Sequence, residues 1–152
     1  MQFSNEFQKS LKFVLKHEGE YVNDPNDSGG ETKWGISKRA YPKLDIKNLT
    51  PEQAADCYWR DYWVASGAVN MVFPFSTVVF DSAINCGVSR VKGWLKEVDN
   101  ATDLIEKRKF HYYRLVEQRP KDMRYLKGWL RRLNDLKKFV EISEEISKTD
   151  HG

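Results

Sequence analysis

The chain has 152 residues, of which 40% are hydrophobic, 13% aromatic and 31% charged, with a net charge of +3. This length suits one domain, or one domain with a small appended module, and the aromatic content excludes a mainly disordered chain. No apolar run approaches the roughly 18 residues of a transmembrane helix, and the N-terminus lacks the apolar core and cleavage site of a standard signal peptide. Two cysteines, Cys57 and Cys86, make neither a disulfide framework nor a metal site, and we expect both to be buried.

The first predicted helix carries an acidic residue at its end. Its apolar residues recur at steps of three and four, as on one face of an α-helix: Phe3, Phe7, Leu11, Val14 and Leu15. Continued from Val14, the stripe reaches Glu18, and Gly19 is a natural helix stop. Burial and the negative end of the helix dipole both disfavour an ionised carboxylate at this place. Glu18 is therefore a candidate functional residue.

A turn-rich segment and a small sheet are predicted next. Residues 20–36 contain Asp-Pro, Asn-Asp and Gly-Gly, which are typical of turns. Thr32, Trp34 and Ile36 then alternate with polar or small residues, as in a short strand. We expect a loop followed by a hairpin or a three-stranded sheet, with a positive φ at one residue at least of the Gly29–Gly30 pair.

The rest of the chain is predicted to be helical. Thr50, Pro51 and Gln53 form a capping box that starts a second helix, which runs to about Val64. Strand-like segments are scarce, so the predicted class is mainly α with a minor β element (α+β). Further helices are predicted over residues 90–97, 103–118 and 122–147.

The third predicted helix begins near Pro74 and ends at Gly87. Its apolar residues cover more than one face, which predicts a central and largely buried helix. Asp81 and Asn85 lie one turn apart on what we expect to be its polar side. These two residues are candidates for a surface that faces a ligand.

Sequence motifs exclude several kinds of chemistry. The chain has no nucleotide-binding glycine loop, no HExxH, no CxxC and no GxSxG, and its three histidines are scattered. We therefore expect no metal and no cofactor. Acid chemistry remains, since glycosidic hydrolysis needs a carboxylic acid that is kept protonated and a second group that handles water or the sugar.

Three carboxylates and one aromatic residue fit such a site. Glu18 is the candidate acid, and Asp27 or Asp24 in the turn-rich segment is the candidate second carboxylate. Trp34 is the best-placed aromatic residue for stacking on a sugar ring. Each also has an ordinary explanation: a capping or salt-bridge glutamate, turn-forming aspartates and a core tryptophan.

Charge is unevenly distributed along the chain. Residues 1–88 hold 9 basic and 11 acidic residues, whereas residues 89–138 hold 15 basic and 7 acidic ones, a net +8. A basic second half favours an anionic polymer as partner: cell wall, membrane surface or nucleic acid. The alternative is a set of ordinary solvated helix faces.

The segment EGEYVNDPNDSGGETKWGIS at residues 18–37 closely resembles the signature of glycoside hydrolase family 108, a group of phage and bacterial lysozymes. The family pattern is approximately E-G-G-Y, a short Asn/Asp/Pro stretch, and G-G-x-T-x-x-G-I-[ST]. Glu20 stands where the family usually has its second glycine. The matching residues are Glu18, Gly19, Tyr21, Gly29, Gly30, Thr32, Gly35, Ile36 and Ser37.

Two more blocks extend the resemblance. FDSAINCG at residues 80–87 is similar to the following helix of the family. LKGWLRRL at residues 126–133 is similar to peptidoglycan-binding domain 3, a helical module that commonly follows the catalytic part. The resemblance thus implies a catalytic region over residues 1–88 and a helical C-terminal region over residues 89–152, packed as one unit.

The resemblance implies a lysozyme-like helical fold with N-acetylmuramidase activity on peptidoglycan, and it makes Glu18 the general acid. A looser likeness to phage lysozymes of the T4 type implies that Asp27 and Thr32 position water or the sugar. We expect the helix that carries Asp81 and Asn85 to line the opposite wall of the cleft. Trp34, in the predicted sheet, is the expected sugar-binding aromatic residue. In the basic half, Arg131 and Arg132 are the predicted contacts to the anionic wall.

The same resemblance implies a bacteriolytic protein of the phage endolysin kind. We expect a monomer that binds peptidoglycan, with no nucleic acid and no stable membrane insertion. Made in the cytoplasm without a signal peptide, it would reach the wall through a holin or another export route. Two alternatives remain at this point: a non-catalytic wall-binding or secretion-accessory protein of the same fold, and a helical protein that binds nucleic acid through its basic half.

Overall fold

A computed structural model describes residues 3–19, 21–23 and 30–151 of the chain. The described part folds into six α-helices and one small sheet, which confirms the mainly α prediction. The helices are α1 (Asn5–His17), α2 (Pro51–Tyr58), α3 (Phe75–Cys86), α4 (Val88–Trp94), α5 (Ala101–Gln118) and α6 (Met123–His151). The strands are β1 (Val22–Asn23), β2 (Glu31–Lys33) and β3 (Ile36–Ser37). A π-helical segment, Trp59–Val64, prolongs α2, and short 3₁₀ turns lie at Ala68–Asn70 and Pro120–Asp122.

Local capping interactions set the starts of these helices. The Ser4 hydroxyl accepts a hydrogen bond from the Phe7 N–H at 3.2 Å and caps α1. At α2, the Thr50 hydroxyl accepts from the Gln53 N–H at 3.2 Å, and the Gln53 side chain accepts from the Thr50 N–H at 2.9 Å. This reciprocal pair satisfies two N–H groups that the first helical turn leaves open, which is why the capping box predicted the helix start correctly.

The sheet is antiparallel in the order β1-β2-β3, with Val22 opposite Thr32 and Lys33 opposite Ile36. Only two residues, Trp34 and Gly35, connect β2 to β3, and both have a positive φ, 51° and 79°. Positive φ at both central residues is the requirement of a type I′ hairpin turn. The prediction that Trp34 continues a strand between Thr32 and Ile36 is therefore wrong, because the chain reverses at that residue.

The glycine pair before the sheet lies partly outside the described residues. Gly30 has a φ of 69°, which confirms a positive φ within the pair. Gly29 belongs to the stretch 24–29, which the structure does not describe.

Helix α3 runs through the centre of the core. Four of its apolar residues are fully buried: Val78, Val79, Phe80 and Ala83. The Phe80 ring meets Phe7 of α1 at 5.7 Å and Trp63 at 5.3 Å between centroids, both edge to face. Helix α6 joins the same core through its buried residues Leu133, Leu136 and Val140. Polar side chains on α3 must therefore find partners inside the protein rather than in water.

The two cysteines are free thiols, Cys57 buried and Cys86 half-buried. None of the helices that the described residues form combines the length and the apolar character needed to cross a membrane.

Candidate active site

Glu18 is the first residue after α1. Its N–H donates to the Val14 carbonyl at 3.0 Å, and its own backbone is extended, with φ −91° and ψ 140°. The helix therefore ends at His17, and the chain turns away with the Glu18 side chain 24% exposed. This partial burial follows from the helical stripe that Phe7 and Val14 define, both of which are fully buried.

The β2–β3 turn lies against the Glu18 side chain. The Trp34 N–H donates to the Gly19 carbonyl at 3.0 Å, and the Tyr58 hydroxyl donates to the Trp34 carbonyl at 2.6 Å. A Cβ at Gly35 would lie 3.0 and 3.1 Å from Cγ and Cδ of Glu18 and would collide with the Tyr58 hydroxyl. Glycine at this position thus serves both the turn geometry and the close approach of the turn to the acid.

Arg132 of α6 holds one oxygen of Glu18. Its Nη1 donates to Glu18 Oε1 at 2.9 Å, while its Nη2 and Nε donate to Asp81 Oδ1 at 2.6 and 3.1 Å. The Arg132 side chain is only 11% exposed. A guanidinium fork can bind two carboxylates at fixed angles. Within the described residues, Glu18 Oε2 accepts no hydrogen bond, so the fork leaves this oxygen for another group.

Asp81 carries a second arginine on its other oxygen. Arg108 Nη1 donates to Asp81 Oδ2 at 2.7 Å, and both side chains are 0% exposed. Arg108 also donates to the Tyr112 hydroxyl at 2.8 Å and to the Ser82 hydroxyl at 3.2 Å. Glu18, Arg132, Asp81 and Arg108 form a chain of alternating acidic and basic groups, which we call the charge quartet. Asp81 gives its two buried arginine neighbours the counter-charge without which buried cations are strongly destabilising.

The electrostatics keep the inner members of the quartet ionised. Burial alone would raise the pKa of Asp81, but the positive charges of Arg108 and Arg132 outweigh burial and hold that pKa below its usual value. Burial alone would likewise lower the pKa of Arg108, but Asp81 outweighs it and raises that pKa. The pKa of Tyr58 is raised by burial and by the nearby Glu18, so its hydroxyl stays a hydrogen-bond donor.

Two sequence predictions need correction at this point. Asp81 was expected to line a cleft wall, but its carboxylate is completely buried and paired with two arginines. Arg132 was expected to contact the cell wall, but it lies inside the protein between Asp81 and Glu18. In both cases the residue faces the core, because α3 is central and α6 packs against α5 and contributes to the same core. Their neighbours Asn85 and Arg131 are exposed.

The remaining predicted residues lie around the sheet. Thr32 is half-buried on β2, between Val22 on one neighbouring strand and Ser37 on the other. Trp34 is half-buried in the turn, and the ammonium of Lys33 lies 4.8 Å from the centre of its ring.

Three acidic residues near Glu18 in sequence lie outside the described residues. Asp24 and Asp27 lie in the stretch 24–29, and Glu20 is also outside the described residues. The structure thus joins Glu18 to the Trp34–Gly35 turn, and the position of Asp27 stays a prediction.

Four residues support Glu18 in a role that the sequence did not predict for them: Gly35, Tyr58, Arg108 and Arg132. The two arginines carry a usable signal, which is a charge on an otherwise apolar helical stripe. Arg108 lies one turn from the buried Leu104 on one side and Tyr112 on the other, and Arg132 lies one turn before the buried Leu136. The same criterion drew attention to Glu18.

The site around Glu18 does not coincide with a large cavity of the described structure. A cleft of about 940 Å³ lies between the C-terminal part of α6 and the segment 70–75, and its lining includes none of the predicted site residues. No group of three or more metal-ligating side chains occurs within the described ranges. The candidate active site is therefore identified by the partly exposed carboxylate of Glu18 and the quartet behind it.

Known proteins supply a family and a fold. Residues 11–87, half of the chain, match the family model described as Glycosyl hydrolase 108. The structure of SagA from Brucella abortus is similar, with a TM-score of 0.73 and 23% sequence identity over 90% of this chain and 94% of that chain. At that identity the likeness shows the fold alone. No curated protein matches this sequence. The chain belongs to glycosyl hydrolase family 108, and it is a glycoside hydrolase of lysozyme-like fold that acts on peptidoglycan.

Proposed function

We propose that the chain is an N-acetylmuramidase that hydrolyses the β-1,4 bond between N-acetylmuramic acid and N-acetylglucosamine. Glu18 donates a proton to the glycosidic oxygen as the bond to the anomeric carbon breaks, and a water molecule supplies the hydroxyl that the carbon gains. The observation that carries this proposal is the Glu18 carboxyl itself. One oxygen is fixed by Arg132, and the other is free of hydrogen bonds among the described residues.

Arg132 is a positioning residue in this proposal. Bound to the buried Asp81, its guanidinium cannot swing away, so the Glu18 carboxyl is held in one orientation before substrate arrives. After proton donation, Glu18 is a carboxylate, and the guanidinium already faces it at hydrogen-bond distance. A preorganised positive charge at the place where negative charge develops lowers the barrier without rearrangement.

The other predicted residues keep their proposed roles on the sugar side. Asp27 is the proposed second carboxylate and Thr32 a water- or sugar-positioning hydroxyl. Asp81 cannot take the second-carboxylate role, because it is buried behind Arg132. Trp34 is the proposed sugar-stacking residue, since its ring is carried by the turn that touches Glu18. Asn85 remains a proposed contact on α3, where it is exposed.

Product analysis tests the proposed bond. Purified, outer-membrane-stripped cell walls are digested with the chain, and the fragments are identified by mass spectrometry. Reducing-end muramic acid is the expected product. Reducing-end glucosamine would indicate cleavage of the alternate glycosidic bond, anhydro-sugars a lytic transglycosylase, and new free amino termini an amidase or peptidase. Any of these three results replaces the muramidase assignment.

We also propose that the hydrolysis is bacteriolytic, as in the phage endolysins that the sequence resembles. Added to bacteria whose outer membrane has been permeabilised, the chain should lower the turbidity of the suspension. A matched suspension treated with the heat-unfolded chain should stay turbid. Wall digestion without loss of turbidity would assign the enzyme to wall remodelling instead.

A further inference from the structure

A second charged cluster lies on the outer face of α4 and α5, formed by residues other than those of the charge quartet. Here the two helices enclose a cleft of about 350 Å³. Arg90 and Trp94 of α4 line one side, and Lys107, Phe110, His111 and Arg114 of α5 line the other. The α5 residues fall at steps of three and four, so they form one stripe of that helix. We call this feature the α4–α5 cleft.

The positive charges of the cleft are largely unmatched. Lys107 pairs with Glu97, whereas neither Arg90 nor Arg114 pairs with a carboxylate anywhere in the part of the chain that the structure describes. Arg90 instead donates from Nε to the Cys86 carbonyl at 3.2 Å, which anchors this lining side chain to the end of α3. No aspartate or glutamate is among the residues that line it. Arginines that repel one another around a concave surface are stabilised when an anion binds between them.

The ring of His111 lies at the centre of this arrangement. The Trp94 ring meets it edge to face, with 5.5 Å between centroids. Burial lowers the pKa of His111, and the charges of Arg90, Arg114 and Arg108 lower it further. The charged groups near His111 are thus cationic, and its lowered pKa favours the neutral imidazole at pH 7.

From this geometry we infer that the α4–α5 cleft binds a carboxylate of the peptide stems of peptidoglycan. Arginine forks match carboxylates in two-point contacts, and Trp94 and the exposed Phe110 offer apolar surface to the aliphatic part of an amino acid. The inference rests on peptidoglycan as the substrate, but it does not depend on Glu18 being the acid. It also supplies the wall contact of the basic half that Arg132 cannot make.

The size and shape of the cleft favour a single carboxylate over a nucleic acid. Nucleic-acid sites spread cations along a groove or stripe that follows many phosphates. Here three cationic side chains surround one small concave site. A volume of about 350 Å³ is at the low end of small-ligand pockets, which run from about 300 to 1,000 Å³.

Calorimetric titration of the full-length chain tests the inference. The probe is a synthetic stem-type peptide, L-alanyl-γ-D-glutamyl-L-lysine with free carboxylates, and its comparison is the same peptide with every carboxyl amidated. We expect the acid form to bind at least ten times more tightly than the amide and to shift the Trp94 indole N–H resonance. Because no bond is broken, binding is measurable even where the proposed muramidase activity fails.

Variants locate the binding to the cleft. Arg90→Gln/Arg114→Gln should weaken the peptide at least tenfold, while turnover of a peptide-free glycan oligomer stays within twofold. Both arginines are exposed, so we expect the fold to survive, and Arg114→Gln alone serves as a milder variant. Lys137→Gln/Lys138→Gln removes the same charge from exposed positions on α6 and should leave peptide binding unchanged.

Four results would overturn the inference. They are no binding of the acid peptide, equal binding of acid and amide, wild-type affinity in the double variant, and binding of inorganic phosphate or a single-stranded oligonucleotide in place of the peptide. The last would reassign the cleft to phosphate groups.

Discussion

Two pairs among the arginines of the basic half differ in their surroundings. Arg108 and Arg132 are buried and paired with Asp81 and Glu18, so they determine where a carboxyl group is held. Arg90 and Arg114 are exposed on the α4–α5 cleft without carboxylate partners in the described structure. Net charge counts the two pairs equally. Burial and partners decide that one pair belongs to the architecture of the active site and that the other is available to a ligand.

The largest loss of stability is expected when Asp81, the carboxylate shared by the two buried arginines, is replaced. Asp81→Asn leaves Arg108 in the core without its counter-charge, and we expect the free energy of unfolding to fall by about 3–5 kcal/mol. Urea denaturation measures the loss. Asp56→Asn on the exposed side of α2 is the matched control and should leave the denaturation midpoint unchanged. A midpoint shift of similar size in both variants would mean that the quartet does not stabilise the fold.

The pH dependence of stability also tests the contribution of the Asp81 carboxylate. The unfolded chain protonates an aspartate near pH 3.9, whereas the pKa of Asp81 in the folded chain is lower. The stabilisation from Asp81 is therefore complete above about pH 3.9 and is lost as the pH falls through the folded pKa. Melting temperatures recorded from pH 7 down to 2.5 should show a drop in the wild type that is smaller in Asp81→Asn.

Replacing Glu18, the partly exposed member of the quartet, should affect activity rather than stability. Glu18→Gln removes the proton donor, and we expect wall hydrolysis to fall by at least about a hundredfold. The amide oxygen still accepts from Arg132, so the melting temperature should stay close to that of the wild type. Glu52→Gln, exposed at the start of α2, is the control and should keep full activity. Activity above a tenth of the wild type in Glu18→Gln would exclude this residue as the acid.

Neighbouring arginines on α6 provide a matched test of position. Arg132→Gln loses the contacts to both carboxylates, and we expect kcat to fall at least tenfold with little change in KM, because the acid is no longer oriented. Arg132→Lys keeps the charge but not the fork and should recover only part of the rate. Arg131→Gln removes an exposed charge and should leave turnover of a soluble glycan as it is. Equal rates in the two glutamine variants would contradict the positioning role.

Gly35 tests the contact between the turn and the acid. Gly35→Ala places a Cβ against Tyr58 and Glu18 at a φ of 79°, and we expect a loss of about 1–3 kcal/mol in stability together with lower activity. Gly128→Ala on α6 meets no atom within 4 Å and should be neutral or slightly stabilising. Thermal unfolding and a wall-turbidity assay on both variants measure the difference. A Gly35→Ala variant as active as the Gly128→Ala variant would show that the turn does not orient Glu18.

The helices were predictable because their signals are local. The Thr50–Gln53 capping box and the Gly87 stop act within a few residues, and the structure places helix ends where they predict them. The Phe7–Val14 stripe likewise located Glu18 at the helix end. Trp34 was misplaced because alternation in the sequence does not show a chain reversal, and Trp-Gly is not among the common type I′ pairs.

The supporting residues of the site were harder to predict because their partners are far apart in sequence. Arg132 meets Asp81 across 51 positions and Glu18 across 114. No local rule pairs residues at such distances, and helix periodicity says only that a charge falls on an apolar face. For Arg108 and Arg132, as for Glu18, the periodicity indicates a charge on the buried face of a helix, but it does not identify the partner of that charge.

The contact between Arg132 of α6 and Glu18 limits which segments of this protein can be recombined with segments of other proteins. The family match ends at residue 87, yet the guanidinium groups that neutralise Asp81 come from residues 108 and 132. A recombinant that grafted residues 11–87 onto an unrelated C-terminal half would bury an aspartate without a counter-ion and leave the acid unheld. A functional recombinant, natural or engineered, must therefore keep α5 and α6 together with residues 11–87.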